Sequence, residues 1–220
     1  MESHLSNIFI SESIGNVSSL LTTPNEPKAF IVLAHGAGAG MTHRFMESLS
    51  YALAKHSIGT IRYNFPFIEK GSKRPDVPAV AEKTVSMVLA HAKESFPNVP
   101  IFLGGKSFGG RMSSQYLSKK HPEGVQGIVF YGFPLHAPGK PGSERAEHLK
   151  SINIPMLFLQ GTRDALAVYE LIEKVCSGLP TAKLEKVEGA DHSFKVKNME
   201  AVDELALQTH KWMKSIVKGM

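Results

Sequence analysis

The stretch Ile101-Phe102-Leu103-Gly104-Gly105-Lys106-Ser107-Phe108-Gly109-Gly110-Arg111 decides how the chain is read. An apolar run of strand length, opened by Pro100, ends at two glycines, and Met112, Tyr116 and Leu117 follow at helical spacing. Gly105, Ser107 and Gly109 match G-x-S-x-G in the strand–turn–helix setting that this motif requires. The turn is tight enough that side chains two residues to either side of the serine would collide. It lifts the hydroxyl above the C-terminal edge of a sheet, so Ser107 is the candidate nucleophile. The competing reading is a serine N-cap after a glycine turn. Gly105-Lys106-Ser107 also imitates the end of a phosphate-binding loop, but that pattern needs glycine at position 100, where Pro100 stands.

Outward from this turn, apolar runs alternate with segments of helical period. Ala29–Ala34, Ile58–Tyr63, Gly127–Tyr131, Pro155–Gln160 and Ala182–Val187 read as strands. Helices are expected after Thr42 (Phe45, Leu49, Ala52, Leu53), from Val77 to Val88, over Ala165–Cys176, and through Val202, Leu205, Thr209, Trp212 and Ile216. Ile8–Leu21 holds short β-like pieces broken at Gly15. This alternation predicts an α/β fold of three layers, a mainly parallel sheet with helices on both faces. Neither a repeat nor a linker divides residues 1–220, so one domain is expected. Gly132–Ser151, rich in Pro, Gly and charge, reads as a loop and leaves room for only a minimal lid.

A serine hydroxyl needs a base. Of the histidines after Ser107, only His192 follows the last expected strand and precedes the last helix, in the small-residue turn Gly189-Ala190-Asp191-His192-Ser193. A solvated loop histidine is the alternative. The acid follows by elimination. Asp76 precedes the nucleophile, Asp203 lies in a helix, and Asp191 adjoins His192, where neighbouring side chains diverge. Asp164 remains, just past the strand ending at Gln160; it could also cap a helix at Ala165. The turn His35-Gly36-Ala37-Gly38-Ala39-Gly40 lets backbone approach a ligand closely. The N–H groups of Ala37 and Phe108 are the expected oxyanion donors. As a dinucleotide turn the same segment fails, because Met41 and His43 occupy the third glycine position. Arg62 could still imitate a reader of a 2′-phosphate. His35, Gly36, Arg62, Lys106 and Arg111 are the candidate substrate-binding residues.

The net charge of +5 comes from scattered lysines and arginines, so a nucleic-acid partner is not expected. One cysteine, Cys176, excludes an internal disulfide and cysteine-rich metal motifs. No metal or organic cofactor is required. The first ten residues do not read as a signal peptide, and no apolar stretch reaches membrane-spanning length. A cytoplasmic protein with no membrane partner, monomeric or homodimeric, is expected.

With these residues placed, the chain resembles the α/β-hydrolase superfamily along its length, most of all its small dienelactone-hydrolase-like members. The His35-Gly36-Ala37-Gly38 turn, Arg62–Phe65 and Gly105–Arg111 are similar to a family of compact bacterial hydrolases. That family also includes an α/β-hydrolase-like subunit of a chromatin acetyltransferase complex. The resemblance implies a triad of Ser107, Asp164 and His192. Two departures stand out: dienelactone hydrolases carry cysteine where Ser107 stands, and the lipase-type H-G-G-G turn is absent. The expected activity is hydrolysis of an ester or thioester of a small soluble substrate. The rival is a catalytically weak or inactive binding or scaffold protein.

Overall fold

Every residue of Ala29–Ala34 (β3) is buried. Side chains alternate across a strand, so Phe30, Val32 and Ala34 join one hydrophobic core, while Ala29, Ile31 and Leu33 join another on the opposite face. Met156–Gly161 (β7) divides in the same way, with Met156 and Phe158 on one side and Leu157 and Leu159 on the other. Strands covered on both faces need continuous apolar runs, which is why these segments stand out in the sequence. The computed structural model describes residues 2–197 and 199–220; Met1 and Asn198 lie outside them, and no candidate site residue falls on either.

Glu2–Ser11 (β1), Gly15–Thr23 (β2), Ile58–Tyr63 (β4), Ile101–Lys106 (β5), Val125–Tyr131 (β6) and Ala182–Val187 (β8) complete an eight-stranded sheet. Its order is β1-β2-β4-β3-β5-β6-β7-β8. The six strands from β4 to β8 in this order pair in parallel, and only β1 and β2 run antiparallel to their neighbours. Arg44–Ala54 (α1) and Val202–Ile216 (α6) cover one face. Pro78–Ser95 (α3), Phe108–Lys120 (α4) and Tyr169–Ser177 (α5) cover the other, and Pro66–Glu69 (α2) is a single turn in the Pro-rich loop. The three-layer architecture is the one expected. The chain leaves β3 for β4 and then crosses back to β5. The crevice beyond the C-terminal ends of β3 and β5 is therefore a topological switch point, where α/β sheets bind ligands.

Four local expectations change. The N-terminal pieces are one long hairpin, β1–β2, paired from Glu2↔Thr23 inward. His43, not Thr42, caps α1, its Nδ1 accepting from the Phe45 N–H at 3.3 Å. Residues 165–168 are not helical, because Asp164 Oδ1 takes the Leu166 N–H at 2.7 Å and α5 begins only at Tyr169. The segment after β6 is not all loop: Glu144–Ser151 forms a 3₁₀ helix, and Phe133, Leu135, Ala146 and Leu149 pack into the core. This segment folds down onto the domain and builds no lid. No helix among the described residues is long and apolar enough to cross a membrane.

Candidate active site

The two glycines of the turn after β5 are steric necessities. A β-carbon on Gly105 would sit 2.4 Å from the Gly110 nitrogen, and one on Gly109 would sit 2.5 Å from the His35 carbonyl oxygen. With both absent, α4 packs directly on the ends of β5 and β3. The residue between them is bent to φ 49°, ψ −113°, a conformation that costs a non-glycine residue about 1–3 kcal/mol. Ser107 is tied into it from both sides. Its N–H donates to the Tyr131 carbonyl at 3.3 Å, and its carbonyl accepts from the Arg111 N–H at 3.1 Å.

His192 reaches Ser107 from the loop after β8, and Asp164 from the turn after β7. Ser107 Oγ is 2.9 Å from His192 Nε2, and His192 Nδ1 is 2.7 Å from Asp164 Oδ2. With the carboxylate accepting, Nδ1 carries the ring proton and Nε2 is left to accept from the serine hydroxyl. Asp164 is held by more than His192. The Gln160 side-chain amide donates to Oδ2 at 2.6 Å, and the Leu166 N–H donates to Oδ1. Gln160 is itself fixed, since its Oε1 accepts from the Phe133 N–H at 2.9 Å. Gln160 was missed in the sequence, although a polar residue closing the apolar run Met156–Leu159 was a usable signal.

Asp191 points its carboxylate into its own turn. Its Oδ1 accepts from the Ser193 N–H at 2.8 Å and the Lys195 N–H at 3.0 Å. That turn is anchored by Phe194, fully buried at φ 60°, whose ring stacks on Phe45 with centroids 5.9 Å apart.

A pocket of about 590 Å³ opens over Ser107 and His192, with Gly36, Ala37, Lys106 and Leu166 in its wall. Gly36 lies against the turn, its β-carbon position 3.8 Å from Ser107 Cβ. Phe108 opens α4, so its N–H has no partner within the helix. Ala37 lies in the pocket wall, and Phe108 adjoins the serine in the chain. His43 and Arg44 from the start of α1, and Lys195 and Glu200 from the short hairpin Lys195–Val196 (β9) and Met199–Glu200 (β10), form the rim. These four come from two distant segments, and nothing in their spacing announced them.

Two expected substrate-binding residues are corrected. His35 is fully buried, with Nε2 accepting from the Phe65 N–H at 3.0 Å and Nδ1 directed at the Gly36 carbonyl at 2.7 Å. Burial pushes its pKa down to about 4, outweighing the Gly36 hydrogen bond and Glu69. Arg62 is also fully buried, donating to the Met41 carbonyl at 3.0 Å and to Thr22 Oγ1 at 3.4 Å. Neither side chain has surface to offer a ligand. Arg111 is outside the pocket wall; burial and the nearby Arg145 lower its pKa. Among the described residues, no group of three or more His, Cys, Asp or Glu could hold a metal ion.

A family model described as an alpha/beta hydrolase domain matches residues 27–218. Among solved structures, an alpha-beta serine hydrolase homologue from Coxiella burnetii is 19% identical, with a TM-score of 0.73 over 96% of this chain and 95% of that one. Dienelactone hydrolase from Anabaena variabilis is 16% identical, with a TM-score of 0.77 over 99% of both chains. XC6422 from Xanthomonas campestris, described as an α/β serine hydrolase without lid, is 16% identical, with a TM-score of 0.73 over 99% of this chain and 94% of that one. At these identities the likeness is one of fold.

Proposed function

The chain belongs to the alpha/beta hydrolase family, and from that premise we propose that it is a serine hydrolase cleaving an ester or thioester of a small soluble substrate. The observation that carries this reading is the continuous relay from Ser107 Oγ through His192 to Asp164, with Ser107 and His192 in the wall of an open pocket.

In the proposed reaction His192 Nε2 takes the hydroxyl proton as Ser107 Oγ attacks the carbonyl carbon. The negative charge moves onto the carbonyl oxygen, where the N–H groups of Ala37 and Phe108 hold it. Asp164 keeps the imidazole in its tautomer and stabilises the imidazolium. As the tetrahedral species collapses, the bond to the leaving group breaks and the imidazolium protonates that group. Water, deprotonated by His192, then attacks the acyl-enzyme; the bond to Ser107 Oγ breaks, the imidazolium returns its proton to that oxygen, and the acid leaves. The modest pocket and the absence of any cover from residues 132–151 support a short acyl group. Each methylene left in water forgoes about 0.8 kcal/mol.

An active-site fluorophosphonate should label wild type on Ser107. Ser107→Ala should lose the label and lower kcat/KM for p-nitrophenyl acetate by about 10⁴–10⁶-fold. A folded Ser107→Ala protein with near-wild-type turnover would overturn the assignment. A wild type that neither labels nor turns over short esters would return the protein to the scaffold reading.

A further inference from the structure

We propose that Lys106 is a positioning residue for the Asp164–His192 pair, its buried ammonium setting the pH down to which His192 stays free to take the serine proton. The inference rests on the hydrolase reading above.

Lys106 precedes the nucleophile and is among the residues that line the pocket. Its Nζ is buried and has no hydrogen-bond partner among the described residues. It lies over the Phe194 ring, 5.4 Å from the centroid. A β-carbon on Gly132 would be 3.2 Å from this Nζ and 3.6 Å from Asp164 Oδ2, so ammonium and carboxylate border the same space left by that glycine.

A lysine amine is strongly hydrated, and burying it without a partner is costly. What compensates here is the field of its surroundings. Asp164 borders it from the turn after β7, and Asp191 adds negative charge from the loop after β8, which also carries His192. The face of Phe194 adds a cation–π attraction. Arg44 and Lys195 add positive charge farther out, at the rim. Burial pulls the Lys106 pKa down to about 8, against the attraction of Asp164 and Asp191. At neutral pH the amine is therefore mostly a cation.

The sign of its effect follows. A cation beside the pair opposes a second positive charge there, so it disfavours the imidazolium. Charged Lys106 thus extends the pH range in which His192 can act as a base toward acid.

Lys106→Met keeps the length of the side chain and removes the charge. The acid limb of its kcat/KM profile should move up by about half to one pH unit, a loss of about three- to tenfold at pH 6 that shrinks as pH rises. Its thermal midpoint should also rise, because an unpartnered amine is gone. A loss of the same factor at every pH, with the limb unmoved, would overturn the proposal and leave Lys106 a packing residue. If the variant does not fold, the His192 ring resonances of wild type supply the test. They should show a second inflection where Lys106 loses its proton, near pH 8, and a single inflection would overturn the coupling. Failure of wild type to be labelled at Ser107 would instead strike the hydrolase reading, and the resonance titration would remain decisive for Lys106.

Discussion

The sheet carries buried polar side chains at two places along its C-terminal edge, and they are satisfied in different ways. Beyond β3 and along β4, His35 and Arg62 are paired mainly with backbone: the Phe65 N–H, the Gly36 carbonyl and the Met41 carbonyl. Beyond β7 and β8, Asp164 and His192 are paired with each other, and His192 still has one nitrogen directed at a hydroxyl in an open pocket. Backbone partners cannot leave and cannot react, so the first region braces loops. The second keeps a valence for a passing substrate. The nature of the partner, more than burial, separates brace from machinery.

The largest effect that would test this contrast lies in the second region. Asp164→Asn should keep the fold and lower kcat by about 10³–10⁴-fold, because an amide can donate to Nδ1 and favours the wrong tautomer. Asp191→Asn should cost far less, since that carboxylate serves its own turn. Steady-state kinetics on one short ester compare the two, and a reversed order would make Asp191 the partner.

The next effect lies in the first region. His35→Ala removes the acceptor of the Phe65 N–H and empties a buried site. It should lower stability by on the order of 2–4 kcal/mol, measured by urea denaturation. A variant with unchanged stability but a raised KM would make His35 a binding residue after all.

The smallest effect is a pH dependence of stability. His35 has its folded-state pKa pushed by burial from 6.5 to about 4. The unfolded chain therefore binds the extra proton first as pH falls. The contribution of neutral His35 is complete above about pH 6.5 and is lost progressively between there and about pH 4. His148, lowered to about 4 by burial and by Arg111, acts in the same direction. The thermal midpoint should fall over this window in wild type and fall less steeply in His35→Ala. Equal slopes would show that folding leaves the His35 pKa unshifted.

The regions also differ in how much the sequence disclosed. β3 and most of β7 were legible because two-sided burial leaves their runs apolar. Ser107 was legible because two glycines are compulsory around it. Asp164 came by elimination, and Asp191, the nearest rival in sequence, spends its carboxylate on its own turn. The β1–β2 hairpin was only half legible: serines, threonines and the exposed Leu5 and Phe9 blur its alternation. Arg62 and His35 were misread because nearness in sequence to a catalytic turn says nothing about direction. Arg62 sits in a strand buried at every position, so its guanidinium finds its hydrogen bonds inside, on the Met41 carbonyl and Thr22. The rim residues Arg44, Lys195 and Glu200 become neighbours only when the loop before α1 meets the β9–β10 hairpin.

The uncovered pocket has a kinetic consequence. In hydrolases with a lid, opening and closing take microseconds to milliseconds and can set the pace of turnover. Here residues 132–151 are anchored by Phe133, Leu135 and the 3₁₀ helix, and none of them lines the space over Ser107. On the proposed mechanism, substrate and product would pass no cover built from these residues, which favours a turnover set by the bond-making steps. Bulk water would then also have standing access to an acyl group on Ser107. An added alcohol or amine would have to compete with 55 M water, about the concentration of the pure liquid, without a dry chamber to favour it, and the acyl group would leave mostly as the free acid.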